Sequence, residues 1–356
     1  MAKKSKFPWD GRIDNHCQIG GIETSVIDDG PGRGNRIAWV NTGTGLRFKV
    51  VIDRAMDIVD AFYNQHSLAW VSHGGITAPR PHANSGLEWL YSFAGGLVTT
   101  CGLTHVGGPE DDELMNRGLH DRISNLPASI ESIIQPDPVN GKLDMSITGI
   151  VKHSMLFGPN LEMRRTISCT LGSPVISIRD VVTNRGNTPC PHMLLYHCNF
   201  GYPLVDAGAD IVYKGTCVSF GRDVDNKIFK PGGNYRKCRK PLESHRGFGE
   251  SCGVIDATPD SKGFCNIGIC NGKLPLAVCI KYKKRQLPAL TNWQHWGPGD
   301  YVTGLEPGTN PPIGQNTARA KKKLIMLAAG KSRTTELQFT VLTDPKKIKT
   351  FARTGS

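Results

Sequence analysis

The chain predicts an all-β protein, a large antiparallel β-sandwich with few short helices. Three observations carry that prediction. Short β-branched or aromatic runs follow one another from residue 36 onward, separated by Gly- or Asp-rich turns. The 41 glycines and 23 prolines are scattered as single turn punctuators rather than gathered into linkers. No amphipathic helix alternates with the strands, so the βαβ rhythm of a parallel sheet is missing.

In chain order, runs 36–40, 46–52 and 58–63 read as strands. Segment 84–97, rich in aromatics, has room for one short helix. Runs 143–151 and 161–169 flank Phe157-Gly-Pro-Asn160, a sequence that favours chain reversal, and so form a hairpin. Run 175–182 extends it into a meander. Near the end, Leu337, Phe339 and Val341 alternate with polar neighbours, the pattern of a half-buried strand. Gly30-Pro-Gly-Arg-Gly34 and Gly95-Gly96 neither follow a strand nor open a helix, so they are turns, not phosphate loops. The basic stretch 230–250 is an excursion. A single domain over 10–345 is expected, with basic termini at 1–9 and 346–356.

The net charge of +12 lies largely in short runs such as Lys3, Lys4 and Lys6, or Lys321, Lys322 and Lys323, as on solvated faces. No nucleic-acid motif accompanies it, so no nucleic-acid partner is expected. No apolar run reaches the ~18 residues that span a bilayer, so no membrane partner is expected either. Eleven cysteines without CxxC pairs, several inside apolar runs, suggest a reducing, cytoplasmic setting.

Chemistry is suggested where polar residues interrupt strand-like runs. In 117–128, read as extended, His120, Arg122 and Ser124 would share one face. In 192–203, His197 and Asn199 follow Met193 and Leu195 on one face, as where a core gives way to a cleft. Glu306 sits in a tight turn-rich setting before Pro307. Trp293 and Trp296 suit the apolar face of a sugar ring, or equally cap a sandwich. His105, His120, His197 and Glu306 could assemble a metal site, but close-spaced ligand pairs are absent and no metal is expected. No nucleophile elbow is present.

These motifs resemble the aldose 1-epimerase (galactose mutarotase-like) superfamily, closest to a bacterial branch of uncharacterised aldose-epimerase-like proteins. The resemblance rests on 53–58 (DRAMDI), 93–108, 118–128, 195–203 and 301–307. It implies the galactose mutarotase-like supersandwich and the catalytic set His120, His197 and Glu306. Arg54, Asp57, His105, Arg122, Asn199, Trp296 and Asp300 are the implied sugar-binding residues. Asp121 stands where the family usually has glycine. The family's further aspartate has no clear counterpart, Asp300 and Asp256 being guesses.

The implied reaction is a cofactor-free exchange of α and β anomers of a small sugar. Glu306 would take the C1 hydroxyl proton while His197 gives one to the ring oxygen. Two rivals stand beside it. One is an isomerase or lyase on a modified or acidic sugar, favoured by the basic balance; the other is a non-catalytic sugar-binding or regulatory protein. A homodimer is left open.

Overall fold

The computed structural model describes residues 13–111, 115–223 and 227–354, with the backbone alone at Arg222. The basic stretch 1–9 lies outside the described residues. Three antiparallel sheets make up most of the molecule, as the strand-dense sequence predicts. An N-terminal five-stranded sheet runs in order from Gly21–Val26 through Arg36–Asn41, Leu46–Val51 and Asp57–Tyr63 to His66–Ser67. An eight-stranded sheet has the order Asp210–Tyr213, Phe264–Cys270, Ala277–Lys283, Ser332–Leu342, Val175–Asn184, Asn160–Thr170, Asp144–Ser154, Ala128–Ile134. A seven-stranded sheet has the order Gly215–Asp223, Ser251–Ala257, Ala289–Trp296, Tyr301–Gly308, Cys190–Gly201, Ile325–Leu327, with Thr99–Leu103 also paired to Cys190–Gly201.

The expected hairpin pairs Asp144 with Thr170 through Ser154 with Asn160, turning at 155–159. Along Asn160–Thr170 every second residue is buried, the period-2 signature of a one-faced strand. The core is shared by all three sheets, with Phe48, Ile147 and Phe200 in one apolar cluster. Each large side chain fully buried there contributes roughly 1.5–3 kcal/mol.

Arg165 falls on the core face of its strand and cannot stay there unpaired. Its guanidinium meets Asp57 at 2.9 Å and Asp180 at 2.7 Å, and the Tyr196 hydroxyl donates to Asp180 at 2.6 Å. This buried network ties the N-terminal sheet to both faces of the sandwich.

Segment 84–97 contains only a 3-10 turn, Glu88–Tyr91. The C-terminal stretch, expected as a basic terminus, is the helix Pro345–Arg353. Asp344 caps it through Lys346 N, proline opens it, and Ile348, Phe351 and Ala352 pack on Val212, Cys270 and Ala277. Its lysines keep the solvent side. Among the described residues no helix is long and apolar enough to cross a membrane.

Candidate active site

The strand Cys190–Gly201 is buried on both sides. Leu194, Tyr196, Cys198 and Phe200 enter the main core, while Met193 and Leu195 join a smaller cluster with Trp89, Cys101 and Val106. Beyond that cluster the same face carries His197 and Asn199, so the predicted change from apolar to polar is present. Strand pairing brings Trp293 opposite Gly304 and Gly304 opposite Asn199. Glu306 is one step further along, beside His197.

Gly304 is required for space rather than for its backbone angle. A Cβ there would lie 2.6 Å from Glu306 Oε1, 3.3 Å from Trp293 and 3.4 Å from His197 Cε1. With no side chain at 304, these three groups can pack directly over its backbone.

His197 Nε2 lies 3.3 Å from Glu306 Oε1. Glu306 is only 2 % exposed, and its Oε1 has no hydrogen-bond partner among the described residues. Burial, with the nearby Glu250 carboxylate adding to it, pushes Glu306 well above the usual carboxylate range. Burial likewise holds the His197 imidazole down to about 4, against the opposing hydrogen bond to Asn199. An acid and a base thus stand side by side, each pushed by burial toward its neutral form.

Loops supply the other wall. Trp89 stacks on Phe93 at 4.3 Å, Phe93 lies 5.1 Å from His197, and Trp70 lies between Phe93 (5.9 Å) and Trp293 (6.2 Å). His120 meets the edge of Trp89 at 4.8 Å and stands 6.0 Å from His197. Burial, then the neighbouring His197, lowers its pKa well below that of free histidine. The three residues expected to act together thus do converge.

The extended reading of 117–128 is corrected. His120 and Asp121 both have left-handed backbones, with φ 58° and 59°, and Ile123–Asn125 is a 3-10 turn. Asp121 anchors this shape. Its carboxylate accepts from Thr104 N and Oγ1 and from His153 Nε2 at 3.0 Å. Burial alone would raise its pKa, but the His153 imidazole and the Thr104 bonds outweigh that and hold it low. The i, i+2 rule therefore fails here. Arg122 points to the Pro81 and Ser154 carbonyls, and Ser124 Oγ accepts from Trp89 Nε1.

Several other expected sugar contacts are structural. Arg54 donates to the carbonyls of Ser124, Thr77 and Ser92. Asp57 pairs with Arg165 and Thr100. His105 lies at 2.8 Å from the Gly108 carbonyl through Nε2 and receives Gln315 N at Nδ1, so both nitrogens are committed. Trp296 is fully buried in the core and donates to Gln294, whereas Trp293, on the opposite strand face, reaches the site. Asp300 meets His73 at 3.5 Å, both with exposed side chains, and Asp256 pairs with Lys284. Asn199 is at the site, bonded to His197. Among the described residues no group of three or more histidine, cysteine, aspartate or glutamate side chains is arranged to hold a metal ion.

Two residues were missed by the sequence reading. Glu250 accepts from Trp293 Nε1 at 2.9 Å. His295 stacks on Trp293 at 6.2 Å and donates from Nδ1 to the Gly249 carbonyl, fixing the chain just before Glu250. The spacing Trp293-x-His295 on a strand was a usable signal. Glu250, at the end of a long excursion, offered none.

No curated protein matches this chain. Among solved structures, a Klebsiella pneumoniae protein assigned as a candidate aldose 1-epimerase superposes with a TM-score of 0.80 at 23% identity, covering 93% of this chain and 86% of that one. A galactose mutarotase-like protein from Clostridium acetobutylicum gives 0.59 at 11%, covering 90% and 98%. Galactose 1-epimerase from Lactobacillus acidophilus gives 0.52 at 9%, covering 90% and 98%. The sandwich is thus the galactose mutarotase-like fold. The family model described as a domain of unknown function, DUF4432, matches residues 32–341, and the chain belongs to that family.

Proposed function

We propose that this protein is an aldose 1-epimerase, exchanging the α and β anomers of a neutral sugar by acid–base catalysis. The observation that carries the reading is the contact between His197 Nε2 and Glu306 Oε1 at 3.3 Å inside an aromatic enclosure. Glu306 takes the C1 hydroxyl proton and His197 protonates the ring oxygen. The C1–O5 bond opens, the C1–C2 bond turns, and the same transfers run backward to close the other face. Burial favours the neutral forms of both groups. A sugar hydroxyl donating to the unpartnered Glu306 oxygen supplies the hydrogen bond that an ionised carboxylate needs. Trp293, Phe93 and Trp89 offer ring faces to the C–H side of a pyranose, and the similarity in fold to epimerases supports the same kind of chemistry.

A neutral sugar is favoured over an acidic one because Arg54 donates to the Ser124, Thr77 and Ser92 carbonyls, and Arg122 to those of Pro81 and Ser154. The test is Glu306→Gln, assayed by NMR exchange between anomers of D-galactose and D-glucose. Exchange falls by about 10²–10⁴-fold, while binding weakens little. Unchanged exchange in the variant would falsify the proposal.

A further inference from the structure

We infer that Asn199 is a positioning residue that locks the His197 imidazole in its Nδ1–H form. Nε2 is then the one nitrogen through which His197 exchanges protons. Residues i and i+2 on a strand share a face, which brings the two side chains together. The Asn199 amide has both donors engaged, Nδ2 giving to the Gly96 carbonyl at 3.1 Å and to the His197 carbonyl at 2.9 Å. Carbonyls cannot donate, so the amide has one possible orientation and Oδ1 must face the imidazole. Oδ1 lies 2.6 Å from His197 Nδ1. An amide oxygen only accepts, so Nδ1 must carry the hydrogen. The other tautomer would press two lone pairs together at that distance.

The lock is itself held. Gly96 has φ 90°, and a Cβ there would lie 2.8 Å from the Ile58 carbonyl oxygen, so the residue that presents this acceptor has to be glycine. The same Gly96 carbonyl receives Asn199 N at 3.2 Å, and the Asn199 carbonyl receives Trp70 N at 3.0 Å. One residue thus fixes the imidazole and one aromatic wall.

The consequence for turnover rests on the function proposed above; the lock does not. In the reacting state Glu306 is ionised and His197 carries a second hydrogen, on Nε2. On ring opening the C1 hydroxyl proton goes to the Glu306 carboxylate, and the Nε2 proton goes to O5. The C1–O5 bond breaks with its electron pair on O5, and C1=O forms. Proton count is conserved, and the Nδ1 hydrogen never moves.

The test uses ¹⁵N-labelled full-length protein, with long-range ¹H–¹⁵N correlations at neutral pH and the His197 signals assigned by their loss in His197→Asn. The expected result is a neutral ring with a protonated-type Nδ1 and an unprotonated-type Nε2. In Asn199→Ala the ring passes into a mixture of tautomers. Anomer exchange of D-galactose then falls about 10²-fold in kcat with KM changed only a few-fold. An Nε2–H form in the parent protein, or an unchanged Nδ1–H form in Asn199→Ala, overturns the inference. If Asn199→Ala does not fold, the parent spectrum decides alone. If the parent shows no anomer exchange, the proposed reaction fails while the spectrum still decides the lock.

Discussion

Gly304→Ala probes the site without replacing any titratable group. The new Cβ would lie 2.6 Å from Glu306 Oε1, against 3.4 Å for ordinary van der Waals contact, so the carboxylate must retreat by about 0.8 Å. The other two neighbours, Trp293 at 3.3 Å and His197 Cε1 at 3.4 Å, sit near the limit and need little movement. Since the only severe clash is with the end of a flexible side chain, the fold tolerates the methyl group. A misplacement on the order of 1 Å in a reacting group costs about 10²-fold in rate, equivalent to about 2.7 kcal/mol in the barrier. NMR anomer exchange on D-galactose should therefore drop by about that factor, with the thermal midpoint within a few degrees of the parent. If the variant is stable and exchanges anomers at the parental rate, the space bounded by Glu306, Trp293 and His197 is not where the sugar reacts.

Glu250→Gln keeps the hydrogen bond from Trp293 but removes the like charge that adds to burial in raising Glu306. Glu306 then ionises at lower pH, and the acid limb of the exchange-rate profile moves down; a limb that stays put leaves Glu250 a purely structural role. Arg165→Met strands two buried carboxylates, Asp57 and Asp180, and should cost about 3–5 kcal/mol in urea unfolding, a loss under 1 kcal/mol contradicting the network. His192 is buried, and burial, helped by Arg333, lowers its pKa from 6.5 to about 4. A depressed histidine contributes stability that is present above 6.5 and lost as pH falls toward 4. Urea unfolding at pH 7 and pH 4.5 should show roughly 2–3 kcal/mol from this group, a difference that shrinks in His192→Leu.

The strands and the position of His197 were legible because both follow period-2 alternation. His197 stands out where Met193 and Leu195 give way to polar neighbours, and the strand geometry preserves that order. Arg122 was misread because two consecutive left-handed residues, His120 and Asp121, turn the chain out of the extended form that the spacing argument needs. Trp293 and Trp296 are three apart, so on a strand only one of them can face the cleft. The sequence could not say which, because residues on both faces of Ala289–Trp296 are buried and neither reads as a solvent side. Arg54, Asp57 and His105 sit in recognisable motifs, and their side chains bond to neighbouring loops and strands. Motif recognition alone does not separate such bonding from contact with a ligand.

The site draws its parts from two kinds of backbone. His197, Glu306 and Trp293 stand on adjoining strands of one sheet, while Trp70, Trp89, Phe93 and His120 arrive on the connections between residues 68 and 126. The His197–Glu306 pair is therefore pinned by sheet pairing that few substitutions can shift. The opposing wall can be rebuilt by lengthening or re-turning connections that carry little of that pairing. Under the proposed function, descendants of such a chain can diversify in the sugars they admit and keep the reaction constant, because recognition and chemistry are then written into separately mutable stretches.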